Sequence, residues 1–158
     1  MTADYRHHVF KLLLFLHLLA AIFAVGPLVG AATTASRALR RPDADAATSA
    51  ARMVRLYSYV SIVVVILGMG LMSQQAPWDS SEEVAQIGDP WIWLSLLLWV
   101  CAMAVALGLL VPSLTRAAVE IGGGGSPGAL VGRVAAAGGA IGLLYAVIVL
   151  LMVYQPGG

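Results

Sequence analysis

Long apolar runs interrupted by short polar connections set the period of this chain. Leu12 to Ala35, Leu56 to Ser73, Trp91 to Pro112 and Val134 to Tyr154 each contain no Asp, Glu, Lys or Arg. A helix rises about 1.5 Å per residue, so a bilayer core about 30 Å thick takes roughly 20 apolar residues. Lipid offers no hydrogen-bond partner to an open backbone, and a segment that crosses it must be helical. The pattern therefore predicts an all-α, four-transmembrane-helix bundle, with residues 1–158 forming one transmembrane domain. The first run follows a charged N-terminus and ends in Gly30-Ala31-Ala32-Thr33, as a signal peptide would. It is longer than the apolar core of a signal, about 7–15 residues, and three further runs follow, so it reads as a retained helix.

Composition agrees. Of the 158 residues 60% are apolar and 11% charged, and mean hydropathy is +0.89, whereas a soluble domain carries about 25% charged residues. Nine Lys and Arg face eight Asp and Glu, leaving no basic field for a nucleic acid. The single Cys101 lies inside an apolar run, which removes an intramolecular disulfide and a paired-thiol zinc or redox site. The expected partner is the lipid bilayer.

Orientation follows from where the cations fall. Arg37, Arg40, Arg41, Arg52 and Arg55 lie between runs one and two, Arg116 and Arg133 between runs three and four, and only Arg6 and Lys11 on the other side. This predicts both basic connections in the cytoplasm and both termini outside. The connection between runs two and three fits an outer position: it holds Asp79, Glu82, Glu83 and Asp89 without a cation, and Trp78, Trp91 and Trp93 flank it as interfacial aromatics do.

The connections carry local signals. Pro42 followed by Asp43-Ala44-Asp45 puts acids where a helix N-terminus favours negative charge, so helix two is expected to begin before the membrane does. Ser80 and Glu83 have capping-box spacing, with Val84 and Ile87 behind them, which predicts a short helix on the outer surface. Gly122 to Gly125 with Ser126-Pro127-Gly128 reads as a flexible linker; it lacks the Gly-Lys-Ser/Thr ending and preceding strand of a phosphate loop.

Membrane helices associate through close approach of small residues, since lipid is as apolar as Leu. Such residues mark the expected inward faces: Ala20, Ala24 and Ala31 with His17 in helix one, Ser58, Ser61 and Gly68 in helix two, Ser95, Ala102 and Ala106 in helix three, and Gly138, Gly142 and Ala146 in helix four. Phe15, Leu19, Ile22 and Phe23 fall on the opposite side of helix one. Pro27 removes a backbone donor there, and a kink is expected.

His17 is the one histidine inside a run, and an ionisable side chain in lipid faces the bundle interior and a partner. It lies in the outer half, as do Trp99 and Tyr145, and these three could line one pocket, with Met69 and Met72, or the deeper Met103, supplying thioethers. An imidazole is an axial haem ligand. Imidazole with thioethers suits Cu(I), because soft donors select soft metals. An imidazole also relays protons or hydrogen-bonds a quinone or other lipidic ligand. Against all three stands a structural histidine bonded to a carbonyl freed by packing or to a Tyr hydroxyl, with Met as filler. His7 and His8 sit at the outer interface, about 15 Å of helix from His17. No acid–base pair or oriented nucleophile exists within the runs, which disfavours a hydrolase and an ion-coupled transporter.

Leu13 to Gly30, LLFLHLLAAIFAVGPLVG, resembles helix one of small bacterial membrane families, and Ile66-Leu67-Gly68-Met69-Gly70-Leu71 with Leu151-Met152-Val153-Tyr154-Gln155-Pro156 is similar to an uncharacterised family of four-helix integral membrane proteins. The helix-one motif also resembles the copper-resistance D family of copper uptake proteins and the membrane-bound protoporphyrinogen oxidase family, a likeness that implies a metal or haem role for His17. This chain lacks a second intramembrane histidine, so two-imidazole haem ligation implies a second protomer. Two functions from different classes are expected: a binding protein for haem, copper or a lipidic ligand around His17, or an accessory subunit that oligomerises or joins a larger membrane complex through small-residue helix faces.

Overall fold

The computed structural model describes residues 3–74, 85–86 and 88–156. Four helices long and apolar enough to cross a membrane account for nearly all of them. We number them α1 (Ala3–Arg40), α2 (Ala44–Met72), α3 (Pro90–Gly122) and α4 (Gly128–Tyr154). The expected surface helix at Ser80–Glu83, with Trp78, Val84 and Ile87, lies outside the described residues.

Every helix overruns its apolar run at the arginine-rich side, because helix continues through polar positions once the buried part has nucleated it. The turn between α1 and α2 is short. Asp43 caps α2 by accepting the Ala46 backbone N–H at 2.9 Å, so α2 does begin ahead of its apolar run. Such a cap stabilises a helix by about 1 kcal/mol.

Two features of α3 and its exit depart from the sequence expectation. The helix does not stop at Pro112. It widens into a π turn over Ala106–Leu110, where the Val111 N–H bonds the Ala106 carbonyl, and then continues through Pro112 to Gly122. A proline ring collides with the carbonyl of the residue four before it, and the wider turn just upstream relieves that crowding. The glycine run, expected to be a flexible linker, instead closes the helix end. Gly125 N–H bonds the Glu120 carbonyl at 2.8 Å and Gly124 N–H the Ile121 carbonyl at 3.0 Å. Gly124 adopts φ +78, a left-handed conformation that glycine takes without steric cost.

The four helices form an antiparallel ring in which α1 packs on α2 and α4, and α3 packs on α4 and α2. The packing changes along α3. Its segment Pro90–Val105 runs against α4, whereas α2 contacts chiefly the π turn and Val111–Gly122.

Small residues hold the ring together. Gly138 lies so close to α1 that a Cβ there would overlap the Ala32 carbonyl, and a Cβ on Gly142 would stand 3.3 Å from Thr33 Cγ2. Ala24, Ser58, Ser61, Ser95, Ala102 and Ala106 are buried, as their spacing predicts. Ala146 is not, because a four-residue repeat drifts around a helix of 3.6 residues per turn. Outside, Phe15, Leu19, Ile22 and Phe23 are exposed. An apolar exterior around a small-residue interior suits lipid as solvent, and the chain is a multi-pass membrane protein.

Candidate functional site

Two of the buried polar side chains, Ser58 and Ser61, lie on one stripe of α2. Ser58, Ser61, Val64 and Gly68 recur at intervals of three and four, so they share a face. Side chains from the three other helices come to that face.

From α1 comes His17, 9% exposed. Its Nδ1 lies 3.0 Å from the Val64 carbonyl oxygen. A carbonyl only accepts, so Nδ1 carries the proton and donates it. Gly68 makes this reach feasible, because a Cβ there would stand 3.1 Å from His17 Cε1. The bond orients the ring and leaves Nε2 without a hydrogen bond among the described residues.

One turn along α2, about 4.5 Å of rise, α3 and α4 meet Ser61. Trp99 donates its indole N–H to Ser61 Oγ at 3.1 Å, and Ser61 donates its hydroxyl to the Ser58 carbonyl at 2.7 Å. Met103 Sδ lies 3.7 Å from the same Oγ. Ser61 has one proton, already directed at the shorter bond, so the thioether contributes mainly packing. The Tyr145 hydroxyl is buried beside Ser61 and Trp99, and among the described residues no atom meets it with full hydrogen-bond geometry. Ser58 Oγ and Ser95 Oγ are likewise buried without a hydrogen bond among the described residues. Each such group carries a desolvation penalty of about 1–3 kcal/mol.

Trp99 and Tyr145 are thus together, whereas His17 is held at a neighbouring station on α2 and no described hydrogen bond links it to either. The methionines are divided. Met69 is 57% exposed on the lipid side of α2, Met72 packs against the cluster of Ala85, Trp91 and Ile92 where α2 ends and α3 begins, and Met103 is the one at Ser61. His7 and His8 are exposed. Among the described residues no three His, Cys, Asp or Glu side chains assemble as metal donors. With one imidazole at this depth, the described residues of one chain complete neither a two-imidazole haem site nor a multi-donor copper site.

Sequence reasoning treated Ser58, Ser61 and Gly68 only as a packing stripe. The signal that they do more was present: two serines and a glycine on the face of a charge-free helix turned toward the interior, where every hydroxyl needs a partner. Comparison with protein families, with curated proteins and with solved structures finds no match to this chain. The likenesses drawn from helix one and the chain end therefore rest on those short apolar motifs alone.

Proposed function

We propose that this chain is a non-catalytic binding protein for a neutral lipid-soluble ligand, held in the outer half of the bundle by Nε2 of His17. The single observation that carries this reading is the Nδ1–H bond to the Val64 carbonyl. It fixes the tautomer, so Nε2 presents a lone pair, and the complementary ligand group is a hydroxyl. Haem and copper would use the same nitrogen, but a two-imidazole haem or a multi-donor copper site needs donors that this chain's described residues do not bring beside it. Lys11, Arg37, Arg40, Arg52, Arg55, Arg116 and Arg133 are all exposed at the helix ends. All but Lys11 lie at the ends read as cytoplasmic, which supports an inner-membrane protein with both termini outside.

The test is purification of the wild type, His17→Ala and His17→Gln in mild detergent, followed by solvent extraction with mass spectrometry, an absorption spectrum and copper analysis. A hydroxyl-bearing neutral lipid retained by the wild type and lost from His17→Ala is the expected result. A Soret band, or copper lost with the imidazole, would replace this reading with a metal-centred one.

A second reading is an accessory subunit or homo-oligomer. It is favoured by Gly26 and Gly30, four residues apart on α1, both exposed and both open enough that a Cβ would meet nothing within 4 Å. A wild-type preparation free of ligand that co-purifies with a second subunit, or that is dimeric until Gly30→Leu is introduced, would select it.

A further inference from the structure

Arg52, Arg55, Tyr59, Ile62 and Ile66 follow one another at intervals of three and four residues on α2, so they share a stripe. All five are exposed, Tyr59 and Ile66 by more than half, while Ala51, Val54, Ser58, Ser61 and Val64 form the side of α2 that packs inward. The exposed stripe changes chemistry in order along the helix: two guanidiniums, a phenol, then two branched aliphatic side chains. Arg55 stands 17 residues from Met72, about 26 Å of helix, against a hydrocarbon layer about 30 Å thick. With the Met72 end of α2 at one boundary of that layer, Arg55 lies at the other and extends its guanidinium toward the headgroups. Tyr59 falls one turn inside, where interfacial aromatics sit, and Ile62 and Ile66 lie among the acyl chains.

The other arginines of this end have simpler settings. Arg37 and Arg40 occupy the last turn of α1, where the helix macrodipole favours a cation. Arg116 and Arg133 are the single cations of α3 and α4. Arg52 and Arg55 are two like charges on one face of α2, well inside the helix, and such neighbours repel. Among the described residues neither makes a hydrogen bond or an ion pair through its side chain. The nearest carboxylate on α2, that of Asp45, is seven residues from Arg52, about 10 Å along the axis. An anion between the two guanidiniums removes the repulsion, and none of the described residues supplies it.

We propose that this stripe holds an anionic phospholipid of the leaflet at the arginine-rich end, with its phosphate between Arg52 and Arg55, its glycerol against Tyr59 and one acyl chain along Ile62 and Ile66. The planar donors of a guanidinium match phosphate oxygens in pairs, and basic clusters beside a membrane span draw acidic headgroups. The stripe continues from cations into aliphatic side chains on the same face, which fits a phosphate carried on acyl chains rather than a soluble one. The site lies on the outer surface of α2 and is independent of His17, which reaches the opposite side of that helix from α1.

The experiment titrates the full chain in mild detergent with dioleoylphosphatidylglycerol and dioleoylphosphatidylcholine, which share their acyl chains and differ in net charge, and counts bound lipid by native mass spectrometry. The wild type should prefer the anionic lipid about tenfold, as charge-assisted hydrogen bonds to one phosphate do. Arg52→Gln combined with Arg55→Gln should bring the two lipids to parity, whereas Arg37→Gln combined with Arg40→Gln should keep the preference. Each of Arg52→Gln and Arg55→Gln alone should lower it about threefold, and these single variants carry the test if the double variant is not recovered folded. Glycerol 3-phosphate, a head without chains, should fail to displace the bound lipid at equal concentration. Parity in the wild type overturns the proposal. Equal loss in the two double variants overturns it as well, because the attraction then belongs to the whole basic end and not to this stripe. Displacement by glycerol 3-phosphate overturns the lipid as occupant and leaves a site for a soluble phosphate.

Discussion

Gly68 is the position through which His17 reaches a neighbouring helix. A Cβ there would stand 3.1 Å from Cε1 and 3.5 Å from Nδ1, so the missing side chain on α2 is what lets the imidazole of α1 bond the Val64 carbonyl. A side chain would have to share the space the ring occupies.

Gly68→Leu is accordingly expected to displace the ring, break the bond to Val64 and abolish whatever His17 binds. The thermal midpoint in detergent should fall, because overpacking costs about 1–3 kcal/mol. Gly70→Ala is the control on the same helix. A Cβ there meets nothing within 4 Å, and replacing a helical glycine by alanine gains about 1 kcal/mol. Opposite shifts in the two melting curves are the expected outcome.

Gly138 and Gly139 make a second pair of neighbouring glycines, here directly adjacent, with opposite fates. Gly138→Ala drives a methyl into the Ala32 carbonyl, backbone against backbone, and α1 and α4 must separate. Gly139 is exposed with open space around it. Gly138→Ala should unfold at lower denaturant or abolish recovery of folded protein, whereas Gly139→Ala should be neutral or stabilising. Equal behaviour would mean that α1 and α4 do not touch at this point.

Ser61→Ala removes the acceptor of the Trp99 indole and leaves a donor without a partner inside the bundle. That orphaning costs about 1–3 kcal/mol, more than the net strength of an interhelical hydrogen bond in a membrane, about 0.6 kcal/mol on average. The double variant Ser61→Ala with Trp99→Phe should therefore lose less than the sum of the single variants. Steric trapping or denaturant titration measures the difference, and strict additivity would mean that the bond is not formed.

Pro112→Ala restores a backbone N–H that can close an ordinary turn onto the Gly108 carbonyl. The wide turn at Ala106–Leu110 then loses its steric cause. Pro90–Val105 is expected to rotate relative to Val111–Gly122 and draw Trp99 off Ser61. Emission of a Trp99-only protein should shift, and unchanged emission would show that α4 packing alone holds Pro90–Val105.

Much of the fold was legible in the sequence because it follows from solvent alone. Runs such as Leu12–Ala35 and Val134–Tyr154 have one stable form in lipid, the helix, and small residues such as Ser61, Ala102 and Gly138 mark the faces that allow close approach. The position of His17 on the Ala24 stripe told that it turns inward. The capping glycine at 124 was less legible, since a glycine run reads equally as slack chain or as a helix stop until its N–H groups find carbonyls.

Partner choice was decided only by the tertiary structure. His17, Trp99 and Tyr145 share a membrane half by arithmetic, but which atoms meet depends on how each helix is rotated and where two helices part. A π turn before Pro112 turns Pro90–Val105 by an amount that no periodicity contains, and the glycine at 68 opens a path that matters only once α1 lies beside it. Span, depth and inward face are properties of one helix in one solvent, whereas the pairing of His17 with Val64 and of Trp99 with Ser61 belongs to several helices at once.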